Sequence, residues 1–164
     1  MNEPKWLPIA RSFIGVKEIK GPKHNPIILG WLKIVNAWYA EDESPWCGVY
    51  PAAVFHKLGY KIPKVAMRAK DWLNWGQKVP VCTGAIGVKS RKGGGHVTFI
   101  VGRTKTGMLV GLGGNQNDAV GYATFDPRDF EGFRYPSEVP LPMIFGQSSL
   151  PLLEARSYVP VREA

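Results

Sequence analysis

Apolar residues recur with two different periods along this chain, and the change of period divides it. In the first half they fall at helical spacing. Trp6, Leu7, Ala10, Phe13 and Ile14 line one face of a helix that Gly15 stops. Asn25-Pro26 supplies a cap and a proline at the first helical position, opening a second helix through Ile27, Ile28, Trp31, Leu32 and Val35. After the acidic loop Glu41-Asp42-Glu43, Ser44-Pro45 repeats that signal and predicts a third helix over residues 46–58, closed by Gly59. Ala66, Ala69, Trp72 and Leu73 predict a fourth, ended by Gly76. In the second half the segments 85–89, 96–101, 108–112 and 120–125 are short, β-branched or alternating, and parted by glycine-rich turns, which predicts strands. Helices first and an antiparallel sheet afterwards imply an α+β fold. The expected division is one domain over residues 1–136, with a proline-rich tail, 137–164, packed on it.

Composition narrows the class. A chain of 164 residues, 45% apolar and 12% aromatic, is long enough for one core and is neither disordered nor fibrous. The net charge of +8 falls mostly in residues 1–82 and favours polyanions or an anionic envelope surface as partners. Two cysteines, Cys47 and Cys82, are too few for a disulfide framework, which suits synthesis in a reducing cytoplasm. The start of the chain does not read as a secretory signal. The longest uncharged run, residues 139–153, contains Pro140, Pro142 and Pro151, so no transmembrane helix is expected.

The chemistry centres on Cys47. It stands three residues after Ser44, in the first turn of the expected helix. Unpaired backbone N–H groups and the helix dipole there favour a thiolate, the form that acts as nucleophile. A buried structural cysteine is the plainer reading of the same residue. Of three histidines, His56 lies on the same helix, about 13 Å away and on the opposite face. His24 sits in a loop. His96 follows Gly93-Gly94-Gly95 and begins the most strand-like segment, which makes it the best base. A third group should orient its ring. Either Asn115 or Gln116, at the end of Leu112-Gly113-Gly114-Asn115-Gln116, can lie beside it. No CxxC or HxxxH spacing suggests a metal, and no cofactor is expected. Lys89, Arg91 and Lys92 form a basic loop beside His96 suited to attracting an anionic substrate. Glu18 and Glu41 are further candidate substrate contacts.

Pro45-Trp46-Cys47, Gly95-His96-Val97 and Leu112-Gly113-Gly114-Asn115-Gln116 together resemble the three motifs of a bacterial and phage branch of the papain-like CHAP and NlpC-type cysteine peptidases. Trp6-Leu7, Ile14-Gly15-Val16-Lys17-Glu18, Asn25-Pro26 and Trp72-Leu73-Asn74-Trp75-Gly76 extend the likeness over roughly residues 4–136. The resemblance implies a papain-like arrangement of helices on an antiparallel sheet. It implies Cys47 as nucleophile, His96 as base and Asn115 as the orienting residue, with Trp46, Glu18 and Gln116 near the substrate. The expected activity is hydrolysis of a peptidoglycan stem-peptide amide by a monomeric, phage-endolysin-like enzyme, made in the host cytoplasm and acting on the cell wall. A D-γ-glutamyl–diaminopimelate endopeptidase is the first expectation; an N-acetylmuramoyl-L-alanine amidase or an interbacterial toxin of the same chemistry is the alternative. A basic nucleic-acid-binding protein is the reading from another class, and no recognition motif supports it. Pro51 departs from the family pattern, because it removes the N–H that would bond the Cys47 carbonyl; a kink or a freed carbonyl is expected there.

Overall fold

The computed structural model describes residues 3–19, 24–37, 46–91, 94–153 and 159–160. Among these, three α-helices come first: α1 (Trp6–Ser12), α2 (Pro26–Ile34) and α3 (Val49–Lys57). α2 begins as its sequence dictates, with the Asn25 side chain accepting from the Ile27 N–H at 2.8 Å and Pro26 in the first turn. The acidic loop with Glu41, and the Ser44-Pro45 cap, lie outside the described residues.

α3 starts later than expected. The Trp46 carbonyl accepts from the N–H groups of Val49 (3.1 Å) and Tyr50 (3.2 Å), so Trp46, Cys47 and Gly48 make the opening turn. Pro51 is then only the third helical residue, and the helix runs unbroken through it to Lys57. Pro51 makes no break in α3, because a proline in the first turn displaces no established intrahelical bond.

The fourth predicted helix is a 3₁₀ segment, Ala69–Asn74. The residues it must bury explain the difference. Ala66, Ala69, Trp72 and Trp75 are all buried and recur every three residues, the period of a 3₁₀ helix rather than an α-helix. Two indole N–H groups then secure the segment, Trp72 donating to the Ala66 carbonyl at 3.1 Å and Trp75 to that of Lys61 at 2.8 Å.

The strands are β1 (Gln77–Lys78), β2 (Ile86–Arg91), β3 (Gly94–Arg103), β4 (Leu109–Gln116), β5 (Ala119–Phe125), β6 (Phe130–Tyr135) and β7 (Val159–Pro160). They form one sheet in the order β1-β6-β2-β3-β4-β5-β7, antiparallel throughout except for β7 beside β5. β2 to β5 correspond to the four strands expected; β1, β6 and β7 come in addition. The fold is α+β.

The sheet is rolled. Phe125 on β5 and Phe130 on β6 belong to strands four places apart, yet their ring centroids are 5.8 Å apart. Bulges in the β2–β6, β3–β4 and β4–β5 ladders supply the extra bend. Alternation along β3 turns Val97 and Phe99 to the helices, where Phe99 meets Tyr50 and Phe55. His96, Thr98 and Ile100 face the inside of the roll. The tail closes one end: Gly146 N–H bonds the Val81 carbonyl at 2.6 Å, Arg103 exchanges backbone bonds with Pro151 and Leu153, and Leu150 is buried. No helix among the described residues is long and apolar enough to cross a membrane.

Phe55 stands at the centre of the helix–sheet core. Its ring lies 4.8–6.2 Å from those of Trp6, Tyr60, Trp72, Trp75 and Phe99. Replacing it leaves a cavity ringed by large side chains that cannot collapse together. Phe55→Ala is expected to cost about 3–5 kcal/mol in a urea titration; a loss under about 1 kcal/mol would mean the ring is not central.

Candidate functional site

Cys47 is buried in the opening turn of α3, and its thiol points at the Gly95 carbonyl, 3.9 Å away. Gly95 directly precedes His96, so the thiol lies against the backbone at the start of the strand that carries the imidazole. Cys47 stands at the N-terminal end of α3, where the helix dipole favours negative charge.

The His96 ring is buried, and its Nε2 lies 3.0 Å from Oε1 of Gln116. The amide orientation follows from its other end. Gln116 Nε2 donates to the carbonyls of Gly111 (3.1 Å) and Gly121 (2.7 Å), and a flipped amide would set its oxygen against both. Since Oε1 can only accept, His96 Nε2 carries the proton. In the neutral ring Nδ1 is then the acceptor, free of a proton.

Gln116, rather than Asn115, therefore orients the histidine. The reason is a bulge. The β4–β5 register passes from Gly113↔Gly121 directly to Gln116↔Ala119, with Gly114 and Asn115 both opposite a single residue. Asn115 takes the left-handed conformation, φ 56°, that the extra residue requires. Alternation resumes one position late, and Gln116 falls on the face that Asn115 would occupy in an unbroken strand. Two glycines make this possible. A Cβ on Gly113 would sit 2.2 Å from Gln116 Oε1, and one on Gly114 would sit 2.8 Å from the Trp46 ring. Asn117 and Asp118, both at positive φ, then close the two-residue hairpin.

Several expected substrate contacts have other employment. Trp46 is fully buried, and its indole N–H donates to Glu18 Oε1 at 2.8 Å, so neither the ring nor that carboxylate oxygen presents itself to a substrate. Gln116 is 3% exposed and its amide is spent on His96 and two carbonyls. Lys89 is not on a solvated rim: it is 6% exposed, directly opposite His96 in the ladder, with its ammonium 5.6 Å over the Phe125 ring. Lys92 and the Arg91 side chain lie outside the described residues. Phe125, which the sequence marks only as a strand end, also lies 5.6 Å from the His96 ring. His56 occupies the last turn of α3, away from Cys47, and His24 precedes α2.

Among the described residues no group of histidine, cysteine and carboxylate side chains could hold a metal ion. A groove of about 1120 Å³ between α1, the sheet and the tail, lined by Leu7, Val101, Tyr122 and Met143 among others, includes none of Cys47, His96 or Gln116. No family model, curated protein or solved structure matches the chain.

Cys82 is also a free, buried thiol, and burial pushes it up to about 11 from an ordinary value near 9. Burial likewise pushes Tyr135 up to about 12. Both groups are neutral acids whose folded values exceed their unfolded ones. Their contribution to stability is full below about pH 9 and is lost as pH rises towards 11 and beyond. Urea midpoints are expected to fall between pH 8 and 10.5, and iodoacetamide at pH 8 is expected to leave Cys82 unlabelled until denaturant is added. Labelling of Cys82 in the native protein would contradict its burial.

Proposed function

We propose that this protein is a papain-like cysteine peptidase that hydrolyses amide bonds in peptidoglycan stem peptides. The observation that carries the reading is a thiol in a helix-opening turn placed at the Gly95 carbonyl, one residue before a buried histidine whose tautomer is set by a buried amide. The motif resemblance supplies the substrate class, and the basic charge of +8 suits a wall rich in carboxylates. A phage-endolysin-like role, made in the cytoplasm and acting on the wall, accords with both.

In this mechanism Cys47 gives its proton to His96 Nδ1 and its sulfur attacks the amide carbonyl carbon. The oxyanion that forms is met by the Cys47 backbone N–H at the start of α3. The C–N bond breaks as the imidazolium returns its proton to the leaving amine, giving a thioester. His96 then draws a proton from water, which attacks the thioester; the acid product leaves and the thiol is restored. Gln116 takes no proton. It holds Nε2–H and so keeps Nδ1 available at each step.

The D-γ-glutamyl–diaminopimelate bond is the proposed target. Purified sacculi are the test substrate, with mass spectrometry of the soluble products. Release of fragments cut within the stem peptide supports the endopeptidase, free stem peptides with intact L-alanine point to the amidase, and no release overturns the reading. Cys47→Ala is expected to abolish product formation with an unchanged circular-dichroism spectrum. Gln116→Ala is expected to lower turnover by roughly 10–10³-fold, and Asn115→Ala by less than about threefold, since the amide orients and the bulge residue does not. The reverse ranking would mean that the bulge lies elsewhere in solution.

A further inference from the structure

From its sequence Glu18 is a candidate substrate contact. Its surroundings say otherwise. The segment carrying it runs along the start of β5: Gly15 N–H bonds the Val120 carbonyl at 3.0 Å, Val120 N–H bonds that of Val16 at 2.7 Å, and Lys17 bridges Ala119. Glu18 N–H bonds the Asp118 carbonyl at 3.0 Å, in the tight turn that follows Gln116. The backbone of Glu18 is thereby fastened to the hairpin that carries the histidine's partner.

Its side chain reaches the other half of the site. Glu18 Oε1 accepts the Trp46 indole N–H at 2.8 Å, and Trp46 is bonded directly to Cys47 in the chain. The opposite constraint on that indole is Gly114 of the same hairpin, where a Cβ would come within 2.8 Å of the ring. Trp46 is thus held at its nitrogen and at its six-membered ring by one hairpin. An indole engaged at two points is restrained against rotation, and the backbone it shares with Cys47 is restrained with it. A charge-assisted hydrogen bond at partial burial is strong enough to set such a position.

We infer that Glu18 is a positioning residue that fixes Cys47 relative to the His96–Gln116 pair, through the Trp46 indole. It touches no reacting atom. The role needs an acceptor oxygen rather than a charge, and it rests on the cysteine-peptidase reading only for its consequence in turnover.

Two measurements on the full chain separate the two questions. The first is the second-order rate of Cys47 alkylation by iodoacetamide at pH 7, with the modified cysteine located by peptide mass spectrometry; it needs no substrate. The second is kcat and KM on a muropeptide released from sacculi. Glu18→Ala is expected to slow alkylation and to lower kcat, the latter by roughly 10–10²-fold with KM within about twofold, as misplacement of a reacting group does. Glu18→Gln, which retains an acceptor oxygen, is expected to restore both. Trp46→Phe keeps the ring's packing but removes the donor, and is expected to reproduce Glu18→Ala. It also decides the matter if Glu18→Ala does not fold. A folded Glu18→Ala or Trp46→Phe with the wild-type alkylation rate overturns the proposal, as does Glu18→Gln behaving like Glu18→Ala. A wild-type protein inert towards every muropeptide would overturn the peptidase reading, while the alkylation series would still decide the role of Glu18.

Discussion

The Gln116 amide donates both of its hydrogens to backbone carbonyls of β4 and β5, and so has only its oxygen to offer His96. That constraint propagates. It sets the imidazole tautomer, it requires a residue without a Cβ at Gly113, and it requires one extra residue in β4 to bring Gln116 to the inner face. A buried carboxamide with every site satisfied is stable, whereas one left partly unsatisfied carries the full desolvation cost of its orphaned atoms. Small changes in the hairpin are therefore not absorbed locally. They would reach the histidine.

The aromatic core delivers the thiol to the same place. α3 is buried along most of its length, and Tyr50 and Phe55 key it to Phe99 on β3. The Tyr50 hydroxyl donates to the Ala10 carbonyl at 2.7 Å and fastens α3 to α1. The helix cannot shift along the sheet without unseating these rings. Its opening turn, with Cys47, is consequently fixed beside Gly95. Close packing of large rings transmits position as well as stability.

Inside the roll, Lys89 and His96 share the Phe125 ring, one cation and one imidazole against a single aromatic. A lysine on a strand next to a glycine-rich turn reads as solvated. Rolling the sheet buries it, because β5 comes round to cover the face that a flat sheet would leave open. The same rolling explains why β6 carries no strand pattern in the sequence. Its residues Phe130 to Tyr135 are mostly half-buried, so they lack the clean alternation of a strand with one wet face.

Local signals in the sequence were enough for whatever depends on neighbours in the chain. Asn25-Pro26 caps α2, the period-two segments become β2 to β5, and helices precede strands in an α+β fold. The positions of Cys47 and His96 were also legible, since a helix-opening turn and a strand start are local features, and the thiol lies at the Gly95 carbonyl, one residue before His96. Tertiary structure decided the rest. Whether Asn115 or Gln116 faces the ring depends on a single inserted residue, and alternation cannot reveal a bulge whose partner strand is unknown. The 3₁₀ form of Ala69–Asn74 depends on which of its residues find a core to enter. The engagement of Glu18 with Trp46 joins residues 28 positions apart, through a hydrogen bond that exists only once the hairpin and the opening turn of α3 have come together.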